Sequence, residues 1–319
     1  IMNQSNLKKL QNLLKEKDID IFVINRSDEY LNEYISPNAE RLNFITNFSG
    51  SAGRAIITPT DAFLYVDGRY TFQANTQINA KEIQAKHLNS FWTDLEKILL
   101  EKELKIALDP TLHSIIEIEK VEKMLENSTS QLKLIDKNFV DLIWENQPKT
   151  QYTDIFDHPT SFAGQGRSEK LDILKKFLDQ NEIDHYFVSG LDNIAWLLNL
   201  RADDIKYTPL LYSYLLISKN NKHSLYIKES SMPEILKKEI QTLININNIE
   251  NIGTIFNNIN SSESIGLDFN STTYYFLDLL RKQEINSKNL ANPCILLKAI
   301  KNETELDGAK KAHIRDGVS

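Results

Sequence analysis

Leu7, Leu10, Leu13 and Leu14 recur at helical spacing and are followed by Ile19 and the unbroken apolar run Ile21-Phe22-Val23-Ile24. The pattern predicts an amphipathic helix leading into a buried strand. The same pattern returns later as Leu171, Leu174, Phe177 and Leu178, then Ile183 and Tyr186-Phe187-Val188. Every apolar helix position is displaced by 164 residues (171 − 7), as are Asp20 to Asp184 and Asp28 to Asp192. A displacement of that size is an internal repeat of domain length. It continues with small drifts: Leu64-Tyr65-Val66 matches Leu225-Tyr226-Ile227, and Ile106-Ala107-Leu108-Asp109 matches Ile265-Gly266-Leu267-Asp268. A helix-like run follows that Asp in both halves, Ile115 to Leu125 and Thr273 to Arg281.

Between the first strand and its repeat partner lies a denser stretch. Gly50 and Gly53 bracket Ser51 and Ala52 ahead of Ala55-Ile56-Ile57, which predicts a tight turn with positive φ entering a strand. Pro59-Thr60-Asp61 then forms a turn, and Phe63-Leu64-Tyr65-Val66 returns as the second arm of a hairpin. Buried runs and hairpins alternate with amphipathic helices, so the fold class is α/β: two tandem related domains, each a mixed sheet with flanking helices. The first domain is expected over 1–148. Residues 149–166 are polar, hold Pro159 and two glycines and lack periodicity, so they read as a linker. The second domain follows over 167–300. The Asn- and Ile-rich segment from Leu243 to Ser264 reads as surface around one short strand near Ile255-Phe256. The run from Glu303 to Ile314 is helix-like, and Asp316 to Ser319 ends with nothing to pack against.

Composition narrows the possibilities. At 319 residues, the chain suits about two domains of roughly 150 residues each. A formal charge of −7 disfavours a nucleic-acid surface, and pairs such as Lys8-Lys9, Lys175-Lys176 and Lys310-Lys311 read as solvated helix faces. No run approaches the roughly 18 apolar residues of a membrane helix and no leader pattern opens the chain, so neither nucleic acid nor membrane is expected and the location reads as cytoplasmic. Ile1 ahead of Met2 reads as an added residue. The single cysteine, Cys294, permits no internal disulfide, and in its apolar run it reads as a buried inert thiol.

Candidate chemistry is sparse. The six histidines show no metal-binding spacing, and Asp203 and Asp204 diverge whether extended or helical, so neither a metal site nor a catalytic residue is assigned. The turn Gly50-Ser51-Ala52-Gly53 lacks the remaining residues of a phosphate loop or a nucleophile elbow and reads as structural. Asp67-Gly68-Arg69-Tyr70 stands out: a carboxylate and a guanidinium flank a glycine, and an Arg fork can hold a carboxylate in bidentate fashion. The second repeat has Lys228-Glu229-Ser230 in its place, so the feature belongs to the first half alone. Asp67 and Arg69 are candidates for a substrate cleft, against the plainer reading of a structural ion pair.

Three stretches, Asp28 to Tyr70, Asp192 to Ile217 and Lys298 to Ser319, resemble the three-domain form of aminopeptidase P, the Xaa-Pro aminopeptidases, and because they lie in both halves and at the end the resemblance extends over the whole chain. Asn47 stands where that pattern usually has glycine, and Ala202 and Asp203 where it usually has Gly and Ser. The resemblance implies two creatinase-like N-terminal domains, with 301–319 as the leading edge of a third, catalytic pita-bread domain. In that family the third domain binds two divalent metal ions, commonly manganese, through two Asp, one His and two Glu. None of those ligands has a counterpart here. The resemblance therefore implies a non-catalytic portion, inactive alone, that walls the cleft for peptides with an N-terminal Xaa-Pro and assists homodimer contacts. The alternatives are a peptide- or protein-binding module of peptidase-like fold, or another pita-bread enzyme such as a prolidase or creatinase-like amidinohydrolase. The second repeat argues against the latter, which normally lack it.

Overall fold

The computed structural model describes residues 5–319. They divide into two compact units, one running to Thr150 and including Thr273–Tyr275, the other comprising Gln151–Thr272 and Phe276–Ser319. The first unit holds strands β1 (Ile21–Asn25), β2 (Gly53–Ile57), β3 (Ala62–Val66), β4 (Gln84–His87), β5 (Lys105–Leu108) and β6 (Gln131–Leu134). Its helices are α1 (Asn6–Glu16), α2 (Arg41–Thr46), α3 (Thr71–Gln77), α4 (Phe91–Glu101), α5 (Ile115–Leu125) and α6 (Phe139–Ile143). The sheet order is β4-β3-β2-β1-β5-β6. β1 lies at the centre, antiparallel to β2 and parallel to β5, and its apolar run Ile21 to Ile24 is buried together with Asn25. Leu7, Leu10 and Leu14 of α1 join Phe22 and Ile24 in one core.

The second unit holds β7 (Phe156–Asp157), β8 (His185–Val188), β9 (Leu200–Arg201), β10 (Tyr214–Ser218), β11 (His223–Ile227), β12 (Ile244–Asn248), β13 (Ser264–Leu267) and β14 (Asn286–Asn289). Its helices are α7 (Thr160–Ala163), α8 (Arg167–Gln180), α9 (Leu191–Leu198), α10 (Glu234–Ile240), α11 (Tyr274–Lys282), α12 (Pro293–Ala299) and α13 (Glu303–Val318), the first residues of α11 being those counted with the first unit. Its main sheet runs β12-β11-β10-β8-β13-β14, the same topology as the first. The repeat extends to single hydrogen bonds. Asp20 accepts from the Lys105 N–H at 2.8 Å and Asp184 from the Ser264 N–H at 2.9 Å, each tying the start of the central strand to its parallel neighbour. Asp109 accepts from Asn138, which caps α6, and Asp268 from the N–H of Asn292, which caps α12. Asp28 and Asp192 do not correspond in this way: Asp28 holds a loop through Tyr30 and Asn32, whereas Asp192 lies in the first turn of α9 and pairs with Lys298.

Several expectations need correction. The glycine turn has no positive φ at Gly50 or Gly53; of the described glycines only Gly164 does, at 72°. Close packing explains the residue type instead, since a Cβ on Gly50 would overlap the buried Phe48 ring and one on Gly53 would come within 3.0 Å of it. The left-handed position is Asn47, φ 62°, which ends α2. Residues 149–166 are no free linker. Ile155 is buried and bonds to Ser231, β7 pairs with β9, and α7 is a short helix, all within the second unit. The segment is aperiodic because it folds through long-range partners, not local ones. Ile255 and Phe256 form no strand; they are buried in a turn, where Phe256 meets Phe187 edge-on. The strand is β12, whose alternating Ile-Asn-Ile-Asn-Asn lies parallel to β11. Residues 303–318 form α13, counted with the second unit. Asn302 donates to the Ala163 carbonyl and Glu305 accepts from the Trp196 indole at 3.1 Å.

Two buried histidines are expected to make the second sheet acid-sensitive. His223 accepts from the Ser218 N–H at 3.1 Å through Nδ1, so its ring is neutral, and His185 shares a 3.0 Å hydrogen bond with the Ser218 hydroxyl. Burial pushes the His223 imidazole down to about 4, from an ordinary 6.5. A depressed base binds its proton more readily unfolded, so its contribution is intact above pH 6.5 and is lost as pH falls toward 4. The expected loss is on the order of 3 kcal/mol across that window. Urea unfolding of the second unit from pH 7 to 4 checks this, with His223→Gln expected to flatten the slope; an unchanged slope would assign the acid sensitivity elsewhere.

Candidate functional site

Asp67 directly follows β3 and caps the one-turn 3-10 helix Gly68–Tyr70 that leads into α3. One of its oxygens, Oδ1, accepts both the Arg69 backbone N–H and the Arg69 Nε, each at 2.9 Å. A single carboxylate oxygen thus fixes the residue's backbone and the plane of its side chain. Asp67 is held below the usual carboxylate range first by that backbone bond and then by the side-chain bond, and Arg69 is raised by its bond to Asp67. Arg69 remains 67% exposed with no other bond among the described residues, so its two terminal nitrogens are free as a fork. Its guanidinium lies 5.4 Å from the Tyr70 ring centre, and Phe72 beside it is 85% exposed.

The glycine turn belongs to the same surface. Ser51 Oγ and Tyr70 Oη lie 2.7 Å apart, and this bond holds the Tyr70 phenol below its ordinary range. Arg26 donates to the carbonyls of Ser51 and Glu33 and pairs with Glu40 at 2.8 Å, pinning the turn from behind. Tyr70 meets the buried Phe48 edge-on at 5.7 Å. Asp67 and Arg69 therefore come together, and the fold adds Ser51 and Tyr70, which lie in a turn and in the one-turn 3-10 helix and have no local pattern that pairs them. Only a hairpin register placing Gly53 opposite Val66 brings them into reach.

The other polar candidates are structural. Asp203 is exposed while Asp204 is buried and accepts from the Thr153 N–H at 2.7 Å, the Thr153 hydroxyl at 2.9 Å and the Tyr212 N–H at 2.9 Å. Burial nevertheless raises its carboxyl above the usual range. The Cys294 thiol is buried and pushed up to about 12 by that burial. Among the described residues, no three His, Cys, Asp or Glu side chains converge as metal ligands, and no helix is long and apolar enough to cross a membrane.

Two mixed six-stranded sheets of one topology, each with its own core, define a tandem-repeat α/β protein whose conspicuous surface feature is an oriented arginine fork. The chain belongs to the creatinase/prolidase N-terminal domain family: one model of that domain matches residues 6–138 and a second matches 146–305. It is 33% identical over 335 residues to the probable Xaa-Pro aminopeptidase P of Sordaria macrospora and 31% identical over 328 residues to that of Paracoccidioides brasiliensis. Each alignment covers 98% of this chain, and the chain spans about half (53%) the length of these relatives. Its structure is similar to the crystal structure of X-prolyl aminopeptidase from Caenorhabditis elegans, described as a cytosolic enzyme with a di-nuclear active site. The TM-score is 0.89 at 25% identity, covering 98% of this chain and 53% of that one.

Proposed function

We propose that this chain is the N-terminal, non-catalytic portion of a metal-dependent Xaa-Pro aminopeptidase, a cytoplasmic hydrolase that removes the first residue from peptides with proline second. The observation that carries the proposal is similarity running through both units to proteins of that name while spanning 53% of their length. The two metal ions, manganese in this reading, belong to the remaining length. The tandem units would wall the substrate cleft, admit extended peptides and support a homodimer. Ile295, Leu296, Ile300, Leu306 and Val318 are apolar and exposed on or beside α12 and α13, a surface suited to packing against a further domain.

Purified alone and supplied with manganese, the chain is expected to turn over no Xaa-Pro peptide; manganese-dependent hydrolysis by it would refute the non-catalytic reading. Arg69 is proposed to face the cleft of the complete protein. There, Arg69→Ala is expected to lower kcat/KM for an Xaa-Pro peptide about tenfold with little change in Tm, because an exposed pair contributes little to stability. A lowered Tm with unchanged kinetics would reduce Asp67 and Arg69 to a structural pair.

A further inference from the structure

Arg201, on β9 in the second unit, is a half-buried cation whose surroundings satisfy only part of it. Its Nη1 donates to the carbonyl oxygens of Ala195 at 2.7 Å and Leu200 at 2.9 Å, which fixes the guanidinium plane. Nε and Nη2 have no partner among the described residues. The carboxylate whose charge reaches it is Glu305. Both oxygens of Glu305 are already engaged, one by the Trp196 indole at 3.1 Å and the other by the Asn302 N–H at 3.0 Å.

A second cation lies behind the first. Lys170 is fully buried, donates to the Trp196 carbonyl and to Asn199 Oδ1 at 2.8 Å each, and sits 4.2 Å from the Trp196 ring centre. Burial holds Lys170 down to about 8 and lowers Arg201 as well. Two desolvated cations therefore share one committed carboxylate, and burying charge without a counter-ion is costly. The imbalance opens onto a groove of about 790 Å³ lined by Arg201, His158 and Phe162 on one side and by Lys311, Ile314 and Arg315 of α13 on the other. Lys311 is paired with Asp307 at 2.6 Å, whereas Arg315 has no ion pair among the described residues. His158 is lowered first by burial and then by the charges of Arg201 and Lys170, which favours the neutral ring beside them.

We propose that this groove is a carboxylate-binding site. The free Nε and Nη2 of Arg201 hold both oxygens of a carboxylate borne on an apolar group, which packs against Phe162 and Ile314. Planar fork geometry suits a carboxylate better than a spherical anion, and the exposed Phe162 ring gives the apolar body a surface to cover. The C-terminus of a peptide ending in an apolar residue and a free aryl or alkyl acid share this chemistry. The site requires no aminopeptidase activity, so it stands or falls by binding to this chain.

The Trp196 indole N–H, bonded to Glu305 at the base of the groove, is a built-in reporter, and with three tryptophans in the chain its resonance is assignable from a Trp196→Phe variant. Phenylacetate, N-acetylphenylalanine, the neutral isostere phenylacetamide and inorganic phosphate are titrated in turn. The expected result is a saturable Trp196 shift with the two carboxylates at millimolar concentration and none with phenylacetamide. Tighter binding of N-acetylphenylalanine assigns the site to peptide termini; equal binding assigns it to free acids. Arg201→Lys keeps the charge without the fork and is expected to weaken binding about tenfold. Phe162→Ala, at an exposed position that leaves the fold intact, is expected to weaken it several-fold. No saturable shift with either carboxylate, or phosphate binding as tightly as they do, overturns the proposal.

Discussion

Gly50→Ala is expected to destabilise the first unit by about 2–4 kcal/mol. The added Cβ would overlap the Phe48 ring, lying within 2.8 Å of its Cε2 and 3.0 Å of its Cε1. Phe48 is fully buried among Leu42, Ile45 and Ala74, so the ring cannot withdraw without opening the core. Because Phe48 also meets Tyr70, the strain should spread to the Ser51–Tyr70 bond and to the Asp67–Arg69 turn. Denaturant unfolding of the first unit checks the magnitude. A double variant, Gly50→Ala with Phe48→Leu, is expected to recover part of the loss, and Gly50→Ala alone at wild-type stability would show that the ring has somewhere to go.

Asp204→Ala carries the second large effect, a loss of about 2–4 kcal/mol from the second unit. The carboxylate gathers three donors, two of them backbone N–H groups, and joins the segment around Thr153 to the loop that precedes β10. Removing it leaves those donors without their acceptor in a site where water has little access, and such groups cost more unpaired than the bond contributed. Thr153→Ala should cost less, since only the hydroxyl bonds are lost. In a double-mutant cycle the two changes are expected to couple. Strict additivity would mean that the contact between Asp204 and Thr153 does not hold the loop.

The sequence by itself determined the repeat and therefore most of the fold. Leu7 to Leu14 and Leu171 to Leu178 carry helical periodicity, Ile21 to Ile24 and Tyr186 to Val188 carry buried-strand character, and both signals are local enough to be read in a short window. Asp67 and Arg69 were legible as a pair because a carboxylate and a guanidinium two residues apart can meet within one turn. The orientation of that fork was not legible, because it depends on one oxygen of Asp67 accepting from both the backbone and the side chain of Arg69.

Tertiary structure decided everything that rests on partners distant in the chain. Ser51 reaches Tyr70 only through the hairpin register, and Ile155 and β7 leave the linker for the second core only because Ser231 and β9 lie beside them. Gly50 is glycine for want of space beside Phe48 and not for a backbone angle, a distinction that composition cannot make. Arg201 sits in an apolar stretch where its neighbours, Leu200 and Ala202, say only that it is near a core. That it lacks a counter-ion follows from where Glu305 spends its two oxygens, more than one hundred residues away. Periodicity reports burial along one element; charge balance is a property of the assembled surface, and it appears only when the elements are together.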